Sequence, residues 1–233
     1  MSTETPLSAP FRSLCTDCGI SRSSDPKRCG RACQFIAPDY SGLEQQVHGR
    51  VRDVGRVDEL HFGTFRHMWR ASLKTPLAGA QWTGITTRLG ERLLESGKVD
   101  AVIAMRGDPD DRWRPVPVLV TRAEDMKQCR GMRMGYAPLL SLLEPAAEQG
   151  IRRLAVIGIP CQVYALRALE KELGFEKIYV IGTPCSDNTS TENFHAFLAR
   201  LEDDPARITY LEFRADYQVE LRYDDGRTRT IPF

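Results

Sequence analysis

Three short runs of apolar residues narrow the folds open to this chain. The segments VDAVIAM (99–105), RLAVIGI (153–159) and KIYVIG (177–182) have the continuity of strands buried on both faces. Helical spacing lies around them. Ile85, Leu89, Leu93 and Leu94 form one stripe over 83–96, with Gly97 as its stop. Further helices are predicted over 139–149, 161–173 and 191–201, the first two ending at Gly150 and Gly174. Alternation of strand and helix predicts an α/β fold, a mostly parallel sheet with flanking helices. Shorter strands are expected over 116–120, 208–216, 219–223 and 228–233, with Asp224-Asp225-Gly226 as a hairpin turn.

Before the first helix the character changes. An irregular, cysteine-rich segment holds Cys15, Cys18, Cys29 and Cys33, spaced C-x2-C and C-x3-C. Gly, Ser, Asp, Pro, Lys and Arg fill the interval, a composition suited to a loop that wraps a metal. Zinc in a closed structural site and an iron–sulfur cluster both fit four thiols so placed. Residues 36–75 carry little periodicity and are expected to wrap the domain. Three units follow: 1–75, cysteine-rich and wrapping; 76–160, the first part of the α/β domain; and 161–233, its continuation, expected to be cut short.

Two further cysteines open turns after buried strands, Cys161 in GIPCQ and Cys185 in GTPCSDN. The carboxyl ends of strands are where α/β sheets bind ligands. A thiol at a helix start is favoured as thiolate; a small buried hydrophobe is the plainer reading. Trp82, Thr83, Gly84, Thr86 and Thr87 mark the start of the 83–96 helix. Free N–H groups there suit a phosphate, although Thr83 could simply cap the helix. Asp108 and Asp110 lie with Asp111 in a charged loop after a strand, as proton donors or as a solvated turn. Cys129 is read as a lone thiol, and His48, His61, His67 and His195 as structural or surface groups.

The net charge of +1 makes no case for nucleic acid or an anionic membrane. No stretch is apolar and long enough to span a bilayer, and residues 1–13 contain no signal-peptide core. Seven cysteines in such a chain point to a reducing, cytoplasmic setting.

Several segments together resemble a known family: LCTDCG with RACQF, GAQWTGITT, DPDDR with RPVPVL, GIPCQVYALRALE and GTPCSDN. They are similar to the coenzyme F420 hydrogenase/dehydrogenase β-subunit family. Within it they most resemble the ferredoxin-dependent branch that reduces chlorophyll precursors, either at the 8-vinyl group of 3,8-divinyl (proto)chlorophyllide or at the 7-hydroxymethyl group of chlorophyll a. The resemblance implies an oxidoreductase with FAD and 4Fe–4S clusters, reduced ferredoxin as electron donor and a tetrapyrrole substrate. It assigns Cys15, Cys18, Cys29 and Cys33 to one cluster and Cys161 and Cys185 to a second. Trp82, Thr83, Gly84, Thr86 and Thr87 would line the flavin site, and Asp108 or Asp110 would supply a proton. A subunit that only transfers electrons is the alternative. Two departures stand out. Ser21 occupies the usual third cysteine position of C-x2-C-G-x-C, and the further C-x2-C expected downstream is absent.

Overall fold

The computed structural model describes residues 14–185 and 188–232. Its centre is a four-stranded sheet formed by β1 (Ala101–Gly107), β2 (Pro115–Val120), β3 (Arg153–Gly158) and β4 (Lys177–Gly182), in the order β2-β1-β3-β4. β1, β3 and β4 run parallel, while β2 returns antiparallel on the edge. Pro115 and Pro117 stand in this strand, and an edge is where a sheet tolerates residues without N–H donors. The expected α/β class with a mostly parallel sheet is therefore what the chain adopts.

Alternation along β1 explains the layers. Ala101 and Ile103 face one side with Leu154 and Val156, against Leu139, Leu166 and Leu169. Val102 and Ala104 face the other with Ala155, Val120 and Met126. Helix α6 (Pro160–Leu169) and the short α5 (Leu143–Glu148) cover the first face; α4 (Ile85–Glu95) and the 123–129 turn cover the second. Gly90 of α4 leaves room for Met126, whose methyl would lie 2.7 Å from an added Cβ. A separate antiparallel sheet, β5 (Ile208–Phe213), β6 (Gln218–Tyr223) and β7 (Thr228–Pro232), packs under α7 (Thr191–Leu201). The aromatic cluster of Trp113, Phe194 and Phe197 joins it to the first sheet's β1–β2 loop.

The expected 208–216 strand stops at Phe213, because Arg214 to Tyr217 turn, with Tyr217 at φ 58°. Residues 36–75 are more ordered than their pattern suggests. They contain α2 (Tyr40–His48) and α3 (Val57–Phe62), and the 28–32 stretch forms α1 (Arg28–Ala32). No residue of α2 is buried, so no apolar stripe announces it.

Charge organises this region. The carboxylate of Glu59 is fully buried and accepts from both Arg50 terminal nitrogens at 2.8 and 2.6 Å, and from the Asp53 N–H at 2.8 Å. Hydrogen bonding from Arg50, then from the Asp53 backbone, lowers its pKa from 4.5 to about 2. A carboxyl depressed in the folded state stabilises above its unfolded pKa, and that contribution fades as pH falls through the folded value. Glu59→Gln should therefore lower the urea midpoint near neutral pH. Its deficit should shrink below about pH 4 and disappear near pH 2. Urea titrations across this range check it; a deficit independent of pH would show that the charge is not the cause.

Candidate cofactor site at the strand ends

The thiols come together through three local structures. Cys15 and Cys18 flank a tight loop in which Asp17 and Gly19 take positive φ, 45° and 104°. Gly19 is required here. A Cβ on it would lie 2.5 Å from the Ser141 nitrogen and 2.7 Å from the Pro138 carbonyl oxygen. Close approach lets the Leu140 N–H donate to the Cys18 carbonyl at 2.8 Å, fastening the loop to the 138–141 turn. Cys29 sits in α1 and Cys33 caps its end, its N–H donating to the Cys29 carbonyl at 3.1 Å. One helical turn separates them, which puts both on one face.

Cys161 comes from another part of the chain. It follows Pro160, the first residue of α6, at the carboxyl end of β3. Gln162 holds that corner: its side-chain oxygen accepts the Ile159 N–H at 3.1 Å, and its amide donates to the Ala137 carbonyl at 3.3 Å. The Cys161 sulfur lies 3.3 Å from the Thr16 hydroxyl.

Five thiols, those of Cys15, Cys18, Cys29, Cys33 and Cys161, thus line one small pocket closed by Ile20, Ala32, Phe35 and Ala165. Burial, reinforced by the neighbouring thiols Cys29, Cys161 and Cys33, pushes the Cys18 thiol up to about 12. Burial also raises Cys29, with Cys33 and Cys15 adding to it. These groups resist ionising together, so thiolates here need a compensating cation. Among the described residues no three His, Cys, Asp or Glu side chains converge on a single-ion site.

Sequence reasoning pairs Cys161 with Cys185; the structure sets Cys161 among the N-terminal thiols. Cys185 is half-buried beyond β4 and is not among the residues lining the pocket, and its neighbours 186 and 187 lie outside the described residues. Cys129 is elsewhere, its thiol raised to about 11 by burial.

The phosphate candidate also differs in detail. Helix α4 begins at Ile85, with Gly84 at φ 88° before it and no side-chain cap. Thr83 is not the cap; its hydroxyl accepts the Leu73 N–H at 3.1 Å. The first N–H groups of α4 thus lack a capping side chain, Thr86 is half-buried, and Thr87 is buried. Trp82 stands 70% exposed at φ 52°, its N–H donating to Glu212 at 3.0 Å.

Asp108 and Asp110 form a closed turn, the Asp108 carboxylate accepting the Asp110 N–H at 2.9 Å. Asp111 makes the longer reach. It accepts the Trp113 N–H at 3.1 Å and lies 2.8 Å from His195 Nε2 on α7. Nothing in the sequence spacing, 84 residues apart, links this pair.

Fold and thiol pocket define an α/β protein with a cysteine-lined pocket beside the carboxyl end of β3. The chain belongs to the coenzyme F420 hydrogenase/dehydrogenase β-subunit family. The pattern described as "Coenzyme F420 hydrogenase/dehydrogenase, beta subunit N-term" matches residues 68–144, and the companion pattern for the C terminus of the same protein matches 151–233. The chain is 37% identical over 224 residues to the uncharacterized protein all1601 of Nostoc sp., covering 96% of this chain and 56% of that protein. It is 37% identical over 227 residues to the chloroplastic 7-hydroxymethyl chlorophyll a reductase of Oryza sativa subsp. japonica, covering 96% of this chain and 48% of the relative. The chain thus spans about half the length of these curated relatives. Its fold matches a chain of the F420-reducing [NiFe] hydrogenase complex from Methanosarcina barkeri, with a TM-score of 0.60 at 25% identity, over 66% of this chain and 55% of that one. No helix among the described residues is long and apolar enough to cross a membrane.

Proposed function

We propose that the five-thiol pocket holds a 4Fe–4S cluster, that the start of α4 holds FAD, and that the protein is a ferredoxin-dependent oxidoreductase of chlorophyll-type tetrapyrroles working in a reducing, cytoplasmic compartment. The carrying observation is the gathering of thiols from 15–18, 29–33 and 161 around one space. Four thiolates can hold one zinc ion or a cube of iron and sulfide, and the family resemblance favours the cube. On this reading Cys161 serves the N-terminal set, and one of the five thiols is spare. Cys185 is left for the second cluster that the family resemblance implies.

When bound, the cluster carries single electrons and the flavin gathers two for delivery as hydride. The chain's own residues bind and orient. Ile20, Ala32, Phe35 and Ala165 give the thiols apolar neighbours, while Cys15 reaches the surface. The first N–H groups of α4 offer a phosphate site, Thr86 and Thr87 add hydroxyls, and Trp82 offers a ring to stack. Asp108 and Asp110 stay as candidate proton donors, and the His195–Asp111 pair joins them.

Reduction of an 8-vinyl to an ethyl group takes two electrons and two protons. Reduction of the 7-hydroxymethyl group to a methyl group takes the same and releases water. The 8-vinyl reaction is the reading from the sequence; the rice relative favours the 7-hydroxymethyl reaction. Supplying reduced ferredoxin with each substrate in turn decides between them, and turnover of neither supports an electron-transfer subunit.

The flavin site has its own test. Any side chain at Gly84 would meet Leu77 and Ala80 at 3.0 Å, so a substitution there disturbs the helix itself. Thr86→Asp separates the two effects. Negative charge in the first turn favours the helix but repels a phosphate. FAD occupancy should fall by about tenfold or more with the thermal midpoint unchanged or raised. Full occupancy would remove α4 from the flavin site.

A further inference from the structure

We propose a separate oxyanion site at the carboxyl end of β1, built by Arg106, Arg112 and Arg133. Arg133 threads between two glycines. An added Cβ on Gly107 would lie 3.0 Å from its Nε, and one on Gly131 would lie 3.1 Å from a terminal nitrogen. The lack of both side chains makes the channel that the guanidinium occupies. Among the described residues Arg133 donates to the Met132 carbonyl at 2.7 Å, and its Nε, like those of Arg28 and Arg130, is buried and unpartnered. Arg112 lies close enough to act on it as a like charge, and its carbonyl oxygen would stand 2.8 Å from a Cβ on Gly107. Arg106 leans over the same strand end, donating to the Gly107 carbonyl at 2.9 Å, and shares the thiol of Cys129 with Arg133 as a neighbour.

Among the described residues no carboxylate answers this cluster. Asp108 is spent on the Asp110 N–H, and Asp111 faces His195, Trp113 and, at 3.9 Å, Arg114. The other inward arginine of the neighbouring loop, Arg130, does have a carboxylate, Glu91 at 3.0 Å. Buried N–H groups are paired in nearly all proteins, and an unpaired one points to a missing water or ion. Arg133 is half-buried, and holding a partly desolvated guanidinium beside like charges is costly unless an anion satisfies it. The planar fork of arginine matches a carboxylate or phosphate. The ligand's chemistry is therefore an oxyanion on the strand-end edge. It has two sources, the pyrophosphate of a dinucleotide or a carboxylate on the substrate. The site follows from these arginines alone and stands whether or not α4 binds FAD.

Calorimetric titration of the 233-residue chain with inorganic pyrophosphate tests it. Saturable binding is expected, weakened about tenfold or more in Arg133→Met, since a hydrogen bond to a charged group supplies that much. The exposed Arg112→Gln should weaken it in the same direction without disturbing the fold. Arg122→Gln, an exposed arginine paired with Asp125, should leave it unchanged. Two further arms separate the sources. If the dinucleotide is bound here, Arg133→Met weakens FAD and spares riboflavin. If the substrate is bound here, it weakens chlorophyllide with its free carboxylate and spares the methyl ester. Absence of saturable pyrophosphate binding to the unaltered chain, or equal affinity in all three variants, overturns the proposal.

Discussion

Cys18→Ala is expected to bring the iron of the anaerobically isolated chain from about four atoms to below about one. Cys18 packs on the core that includes Leu139, Leu140 and Ala165, and three other cysteines act on its charge. Water cannot easily replace it as a ligand. Cys161→Ala should behave similarly, because its thiol enters the same pocket from α6. Cys185→Ala should leave this cluster's iron and sulfide unchanged. Chemical analysis of iron and sulfide in the three variants reads the outcome. Equal loss in Cys161→Ala and Cys185→Ala would return those two residues to one shared site.

Gly19→Ala should have nearly as large an effect while keeping every thiol. An alanine at φ 104° is strained, and its Cβ would press on the Ser141 nitrogen and the Pro138 carbonyl. Both are backbone atoms, which cannot swing aside. The cysteine loop would have to lift from the 138–141 turn, losing the Leu140 to Cys18 hydrogen bond. Strain and lost contact together should cost about 2 kcal/mol or more, a fall of about 4–8 °C in the thermal midpoint for a domain of this size. Iron should be lost as well. Scanning calorimetry with iron analysis checks both, and a fully loaded Gly19→Ala variant would show that the docked loop is not needed for the site.

Apolar continuity makes the sheet legible. The 177–182 strand and the 191–201 helix have the bounds their sequences predict, because buried strands and amphipathic stripes are written directly in residue type. Helices α2 and α3 are not legible in this way. They are held by Glu44–Arg52 and Glu59–Arg50 ion pairs across turns rather than by an apolar face. Helix α4 starts two residues later than its sequence suggests, because Thr83 resembles a cap whereas its hydroxyl serves the 73–83 connection. Spacing announces the thiols but not their grouping. Nothing local tells Cys161 from Cys185, since each follows a glycine, one other residue and a proline after a buried strand. Only the packing of α1 and the 15–19 loop against α6 tells them apart. The His195–Asp111 pair and the arginines around Gly107 are tertiary in the same sense.

Whether the gathered thiols hold an iron–sulfur cluster is open to direct measurement. Iron, zinc and acid-labile sulfide should be determined on the anaerobically isolated 233-residue chain, with electron paramagnetic resonance after dithionite reduction. The account predicts about four irons and about four sulfides per chain with a cluster signal at low temperature. One zinc per chain with no labile sulfide would contradict it.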